Sequence, residues 1–88
     1  MEFEFDPAKA RINDRKHGVN FSHAEQALRD DMAFTVEDPD AVGEQRFVTL
    51  GMDALGRGLV AAHTQRGERT RVISAPKASR GESEKYHA

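Results

Sequence analysis

The sequence contains neither cysteine nor tryptophan, and it has no long run of apolar residues. The lack of cysteine excludes disulfide bonds and thiolate metal ligands, and it is typical of a reducing compartment. No apolar run reaches the roughly 20 residues that a membrane-spanning helix needs. The first six residues alternate acidic and apolar side chains, unlike a signal peptide, which begins with a basic segment. We therefore expect a cytoplasmic protein that does not enter a membrane.

The length of the chain, 88 residues, predicts a single domain over residues 1–88. A domain of this size buries only about 60–65% of the surface of its unfolded chain. It has space for a small core but not for a deep cofactor cavity as well. The four histidines lack metal-ligand spacing, and no glycine pattern forms a phosphate-binding loop. We expect a shallow working surface without a cofactor or a metal ion.

The formal net charge of −2 hides an uneven distribution of charge along the chain. Residues 25–44 contain seven acids and one base, Arg29, whereas residues 57–80 contain six bases and one acid, Glu68. Because salt screens charges more than about 10 Å apart, a basic surface can attract phosphate even when the whole chain is acidic. The alternative is that both segments are ordinary solvated surface.

Local patterns predict eight secondary-structure elements. The alternation of Phe3 and Phe5 with acids indicates a strand, and a helix follows between a capping Asp6 and a stop at Gly18. The predicted elements are a strand around residues 3–5, helices 7–17 and 23–31, strands 33–36, 46–52, 59–64 and 70–75, and a helix that ends near residue 86.

Two capping boxes predict where the second and third helices begin. In this motif a serine and a glutamate three residues later satisfy each other's backbone amides; the candidate pairs are Ser22 with Glu25 and Ser79 with Glu82. The short turns between the later strands indicate hairpins, and hairpins make a sheet antiparallel. We expect an α+β fold in the order β-α-α-β-β-β-β-α, with the helices on one face of an antiparallel sheet and the other face open.

Three stretches of the sequence together resemble the BrnT family of ribonuclease toxins. Residues 5–21 hold an Asp-Pro helix start followed by Lys-His-Gly-Val, residues 36–51 hold Glu-Gln-Arg-Phe-Val-Thr-Leu-Gly, and residues 71–86 begin with Arg-Val-Ile-Ser-Ala. The resemblance spans nearly the whole chain. It implies a RelE-like fold, metal-independent cleavage of RNA, and neutralisation by a cognate BrnA-type antitoxin. It also implies that the toxin–antitoxin pair represses its own operon, so that operator DNA is bound only through the antitoxin complex.

The chain departs from the family pattern at Pro76, where members often carry an arginine after the Ile-Ser-Ala stretch. If that arginine binds phosphate in relatives, Pro76 predicts a weakened or inactive protein. The proline is either natural drift or a change that allows production without harm to the host.

Metal-independent cleavage of RNA uses the ribose 2′-hydroxyl as nucleophile, so the site needs a base, a phosphate-binding cation and an acid. Arginine suits the cation role because its planar fork binds oxyanions in a bidentate way and stays charged. Arg71 is the first candidate, and the alternative is a solvent-side ion pair with an acid such as Glu44. Arg46 is the second candidate, with a strand-end salt bridge as its alternative.

Candidates for the acid and the base lie on the predicted helices. His17 suits an acid or a phosphate anchor, since a helix C-terminus favours a cation; its alternative is a cap on the last carbonyls. Glu82 is the candidate base, and its alternative is the glutamate of its own capping box. His63 is expected to be a half-buried structural histidine.

Further residues are predicted to bind RNA without choosing its sequence. Tyr86 either stacks on a base or anchors the last helix to the sheet. The predicted phosphate contacts are Lys9, Lys16, Arg69 and Lys77.

Three functional hypotheses follow from the sequence. The first is an active endoribonuclease toxin. The second is a non-catalytic module that only holds the antitoxin and represses with it. The third, a stand-alone nucleic-acid-binding domain, is disfavoured by the acidic middle segment and by the lack of a basic recognition helix. Antitoxins often wrap their toxins with a charged segment, and either charged region could receive it.

Overall fold

The computed structural model describes residues 1–87 and contains three helices and one five-stranded sheet. This confirms the α+β class. The elements are β1 Glu2–Phe5, α1 Pro7–His17, α2 Phe21–Leu28, β2 Phe34–Glu37, β3 Phe47–Met52, β4 Gly58–Arg66, β5 Arg69–Ser74 and α3 Arg80–Tyr86.

The sheet has the strand order β1-β5-β4-β3-β2 and is mixed, so the prediction of an antiparallel sheet was wrong for one strand. Strands β2 to β5 form the expected antiparallel meander. Strand β1 instead pairs in parallel with β5, with Phe5 opposite Val72. Two parallel strands must be joined by a long crossover connection. Between β1 and β5 this connection comprises all the elements from α1 to β4. Alternation within β1 predicted which side chains share a face, but it holds no information about the direction of a partner so distant in sequence.

Helices α1 and α2 cover one face of the sheet and form the core with it. The fully buried side chains at this interface include Phe21 of α2, Leu59 of β4 and Val72 of β5. Helix α2 lies so close to β3 that a Cβ on Gly51 would stand 2.2 Å from the carbonyl oxygen of Ala27. Glycine is therefore required at this point, because no side chain fits between the helix and the strand.

Helix α3 lies on the opposite face, so the prediction that all helices share one face was also wrong. A Cβ on Gly58 would stand 3.4 Å from the Ser83 hydroxyl of α3, while the next residue, Leu59, faces the core. Successive strand residues point to opposite faces, which places α3 across the sheet from α1 and α2. The sequence of α3 holds no signal for this choice, since none of its residues is buried.

The helix caps follow the predictions except at α2. Asp6 caps α1 by accepting a hydrogen bond from Ala8, and Gly18 ends this helix with a left-handed φ of 67°. The capping box of Ser79 and Glu82 is present in α3. Helix α2, however, begins two residues early because the Asn20 side chain accepts from the Ser22 amide, so the predicted box starting at Ser22 is not used.

A buried asparagine fastens α1 to the end of β5. The Asn13 amide nitrogen donates to the carbonyl oxygens of Val19 (2.9 Å) and Ala75 (3.1 Å), and its oxygen accepts from the Ala75 amide (2.9 Å). All three bonds are buried, where an unsatisfied backbone group is costly. Asn13 thereby fixes the position of α1 relative to the chain that follows β5.

Candidate functional site

Four arginines lie on the sheet face opposite α1 and α2, and we call this surface the arginine face: Arg46, Arg66, Arg69 and Arg71. Arg66 pairs with Arg69 and Thr64 pairs with Arg71 across β4 and β5. Arg46 directly precedes β3, and the pairing of Phe47 with His63 brings it next to Thr64. The predicted residues Arg46, Arg69 and Arg71 are therefore brought together.

Each of these arginines forms an ion pair with a glutamate. Arg69 Nε lies 3.6 Å from Glu2, Arg46 Nε lies 3.7 Å from Glu44, and Arg66 Nη2 lies 3.9 Å from the same Glu44. With four arginines and three glutamates, the arginine face retains a net formal charge of about +1. These three pairs are largely exposed, so competing anions can displace the carboxylates at small cost.

The pair of Arg71 with Glu4 is the most enclosed of the four. The Nε and Nη2 atoms of Arg71 donate to Glu4 Oε2 at 3.3 and 3.1 Å, and both side chains are about two thirds covered. The partner is thus Glu4 and not Glu44, the example expected from the sequence. The alternation in β1 already placed Glu2 and Glu4 on one face, but only the parallel pairing with β5 brings that face to Arg71.

A second basic group surrounds the C-terminal half of α1. Lys9, Lys16 and His17 line a cavity of about 160 Å³ together with Ile73 and Ser74 of β5. The half-buried imidazole of His17 therefore stands at a cavity and not on an isolated helix end.

Lys77 lies close to this cavity, which we call the α1 cavity. The Lys77 ammonium lies 3.8 Å from the point that a Cβ on Gly18 would occupy, directly after His17. Ile73 of the cavity wall is two residues from Arg71 on the same strand, a distance of about 6.6 Å along a strand. The arginine face and the α1 cavity therefore both border β5, although α1 itself packs on the other face of the sheet.

Glu82 and Tyr86 of α3 have contacts that hold this helix in place. Glu82 Oε1 accepts from the Ser79 amide at 2.7 Å, and its side chain borders an apolar groove, not the arginines. The Tyr86 hydroxyl donates to Asp30 Oδ2 at 2.5 Å. This bond lowers the pKa of Asp30 and raises the pKa of Tyr86, because it stabilises the carboxylate and occupies the phenol proton.

Two buried polar groups lie outside the predicted site. Burial by itself would raise the pKa of Asp53, but hydrogen bonds from the backbone and side chain of Arg57 keep it below its usual value. His63 is half-buried, as expected, and its Nε2 lies 2.7 Å from Thr49 Oγ1; burial lowers its pKa. Since both groups support the β3–β4 hairpin, we take them as structural.

Over residues 1–87 no three His, Asp or Glu side chains lie close enough to hold a metal ion. None of the three described helices is both long and apolar enough to cross a bilayer.

Both the sequence and the structure of the chain are similar to those of one protein family. The chain matches, over residues 5–82, a family model described as the ribonuclease toxin BrnT of a type II toxin–antitoxin system. No curated protein matches the chain. The chain is similar to the crystal structure of the Brucella abortus ribonuclease toxin BrnT, with 25% sequence identity and a TM-score of 0.67, over 91% of this chain and 99% of that one. The chain therefore belongs to the BrnT family of ribonuclease toxins from type II toxin–antitoxin systems.

Proposed function

We propose that this protein is a metal-independent endoribonuclease that binds RNA along β5, from the arginine face to the α1 cavity. The observation that carries the proposal is that both basic groups border β5: Arg69 and Arg71 lie on this strand, and Ile73, two residues beyond Arg71, lines the cavity of His17. Lys9, Lys16 and Lys77 extend the basic path beyond the strand. Such contacts supply affinity for phosphate without sequence choice.

In the proposed reaction, the ribose 2′-oxygen attacks phosphorus and the bond to the 5′-oxygen breaks, which gives a 2′,3′-cyclic phosphate and a 5′-hydroxyl. Arg71 stabilises the charge that grows on the phosphate, and Arg46 holds the neighbouring part of the backbone. Glu4, in direct contact with Arg71, accepts the 2′-proton, and His17 donates a proton to the leaving oxygen. Glu82 is the other candidate for the base.

The role proposed for Tyr86 is structural. Its hydroxyl is held by Asp30, which supports the interpretation that it anchors α3 over the interpretation that it stacks on a base. The RelE-like fold also remains a prediction, as does a location in the cytoplasm.

The decisive experiment incubates the purified chain with RNA in the presence of a chelator. We expect cleavage with cyclic phosphate ends, and Arg71→Ala should slow it by about 10²–10³-fold. Arg80→Ala is the matched control, because Arg80 is an exposed arginine of α3 that pairs with Glu84 of the same helix. Equal rates for the two variants would show that the arginine face is not the site of cleavage.

A second candidate function is a catalytically inactive toxin that serves as an antitoxin-binding module and co-repressor. Two observations favour it: every arginine of the arginine face is already paired with a glutamate, and Pro76 stands where family members often have arginine. Under this alternative the chain does not cleave RNA, but Pro76→Arg does, and both forms bind the antitoxin equally well.

The proposed partner is a BrnA-type antitoxin, which neutralises the toxin and carries the complex to operator DNA. A gel-shift experiment with DNA from upstream of the gene tests this part. The chain alone should leave the DNA unshifted, and the toxin–antitoxin complex should shift it. A shift by the isolated chain would instead favour a direct DNA-binding role.

A further inference from the structure

Strand β2 is an edge strand: it pairs with β3 on one side and, within residues 1–87, with no strand on the other. All four of its residues are exposed. The Asp38 amide donates to the Arg46 carbonyl at 2.8 Å. Because bonded and non-bonded residues alternate along an antiparallel pair, Thr35 and Glu37 direct their N–H and C=O groups away from β3. The 2.6 Å contact of Thr35 with the Thr49 hydroxyl agrees with this register, since side chains approach most closely at non-bonded pairs.

An apolar groove runs beside this edge on the same face as α3. Phe34 and Val36 of β2, which are 41% and 56% exposed, form its outer side. Val48, Leu50 and Val60 form its floor, and the cavity measures about 200 Å³. Natural proteins usually protect an edge strand with charged residues or a covering loop. An exposed apolar edge beside an apolar groove is instead the form that a strand-adding partner requires.

The residues that flank β2 along the chain are mostly acidic, and one lysine, Lys85 of α3, also lines the groove. Asp31 precedes β2, and Glu37, Asp38 and Asp40 follow its last apolar residue. Over residues 1–87 none of these four carboxylates takes part in an ion pair. A partner that lies along β2 therefore gains from carrying positive charge at both ends of its apolar residues.

We propose that β2 and its apolar groove bind an extended, basic segment of the antitoxin, which adds a sixth strand to the sheet. The partner follows from the family, since a type II toxin is paired with an antitoxin. A second copy of this chain is a poorer fit: antiparallel pairing of two β2 strands would bring the acids at one end of β2 against those at the other. Like charges in such positions are destabilising.

The proposed docking edge is separate from Arg71, the residue proposed to stabilise the charge on the phosphate. Strands β2 and β5 are three positions apart in the sheet, about 14 Å at the usual spacing between strands. Val36→Lys, in the middle of β2, should therefore change antitoxin binding and leave RNA cleavage as it is. Arg71→Ala should do the reverse, so the failure of one proposal can be told from the failure of the other.

The test measures binding of the full chain to the antitoxin encoded by the adjacent gene, by titration calorimetry. Val36→Lys should weaken binding by about 30-fold or more, the effect of losing an interface hot spot. Glu37→Pro should weaken it by about 10-fold, because it removes an outward N–H that the partner uses but no bond within the sheet. Leu55→Lys is the control, since Leu55 is a similarly exposed apolar residue in the β3–β4 turn, and it should change the affinity by less than about 2-fold.

Amide hydrogen exchange supplies a second measurement, which distinguishes strand addition from other contacts. The amides of Thr35 and Glu37 should exchange rapidly in the isolated chain and become protected about 100-fold or more in the complex, as hydrogen-bonded strand amides are. Wild-type affinity of Val36→Lys, or unprotected amides in the complex, would overturn the docking proposal. Protection of these amides by self-association of the isolated chain would also overturn it. If the wild-type chain binds no antitoxin, this proposal fails together with the antitoxin part of the proposed function, while RNA cleavage is judged separately by Arg71→Ala.

Discussion

The two faces of the sheet carry side chains of opposite kinds on the same strands. In β4, Leu59 is fully buried beneath α1 and α2, while its neighbour Val60 forms the floor of the open groove. In β5, Val72 belongs to the core, while Arg71 on the other face reaches Glu4. The alternation of side chains along each strand thus gives the two faces different roles. The face covered by α1 and α2 buries the apolar side chains that stabilise the fold, and the other face is available to bind partners.

The difference also shows where substitutions are tolerated. On the covered face, side chains pack against two helices, so that lost volume leaves a cavity. On the other face, contacts are ion pairs and half-exposed apolar residues, which contribute little to stability and much to recognition. Substitutions on the face covered by α1 and α2 should therefore change stability, and substitutions on the opposite face should change activity or binding.

The largest effect is expected on the arginine face. Glu4→Gln should slow RNA cleavage by about 10²–10⁴-fold, because a neutral amide cannot act as the base. The same variant should bind RNA more tightly, since Arg71 loses the carboxylate that competes with phosphate. Rates and affinities are measured with a fluorescent RNA under chelator.

Glu82→Gln is the matched control for that experiment. Glu82 is held in its capping box, and its substitution should cost about 1 kcal/mol of stability at most while cleavage continues. If Glu82→Gln abolishes cleavage and Glu4→Gln does not, the base has been assigned to the wrong carboxylate.

The second prediction compares neighbours on β4. Leu59→Ala should lower the free energy of unfolding by about 2–5 kcal/mol, because it empties a fully buried position. Val60→Ala should lower it by about 1 kcal/mol or less, since Val60 is only half-buried. Urea denaturation measures both, and a single domain over residues 1–88 should unfold in one transition. Similar losses for the two variants would contradict the assignment of the faces.

The third prediction concerns the join between α1 and β5. Asn13→Ala should lower the free energy of unfolding by roughly 1–3 kcal/mol, because the Ala75 amide loses its buried acceptor. It should also reduce RNA binding, as α1 carries the lysines of the α1 cavity. Arg11→Ala, at an exposed position of the same helix, should change neither property by a measurable amount.

The smallest effect is a dependence of stability on pH. Burial lowers the pKa of His63 from its usual 6.5, so the folded protein favours the neutral imidazole. The stability that His63 contributes is therefore complete above about pH 6.5 and declines as the pH falls toward the folded-state value, by at most about 1.4 kcal/mol per unit.

Replacing the imidazole tests this assignment. His63→Gln keeps a polar group next to Thr49 but cannot titrate, so its melting temperature should change less than that of the wild type between pH 7 and pH 5. His87→Gln, at an exposed position directly after α3, should follow the wild type. An unchanged slope in His63→Gln would assign the pH dependence to other groups.

Local signals in the sequence were sufficient for most elements and for part of the candidate site. Asp6, Gly18 and the pair Ser79–Glu82 act within a few residues of their own positions, so their roles could be inferred without the fold. The start of α2 was misplaced because Asn20 and Ser22 both make good caps, and packing of Phe21 into the core selects Asn20. The shared face of Arg69 and Arg71 also follows from local alternation.

The sequence by itself thus determined the element types, the caps and which side chains of each strand lie together, because these depend on periodicities of two and 3.6 residues. Only the tertiary structure decided that β1 lies parallel to β5, that α3 crosses to the other face, and that Arg71 meets Glu4, which is 67 residues away in the chain. These three features depend on how segments far apart in the sequence pack together around one core. A local sequence pattern is the same whichever distant segment becomes its partner, so it cannot predict them.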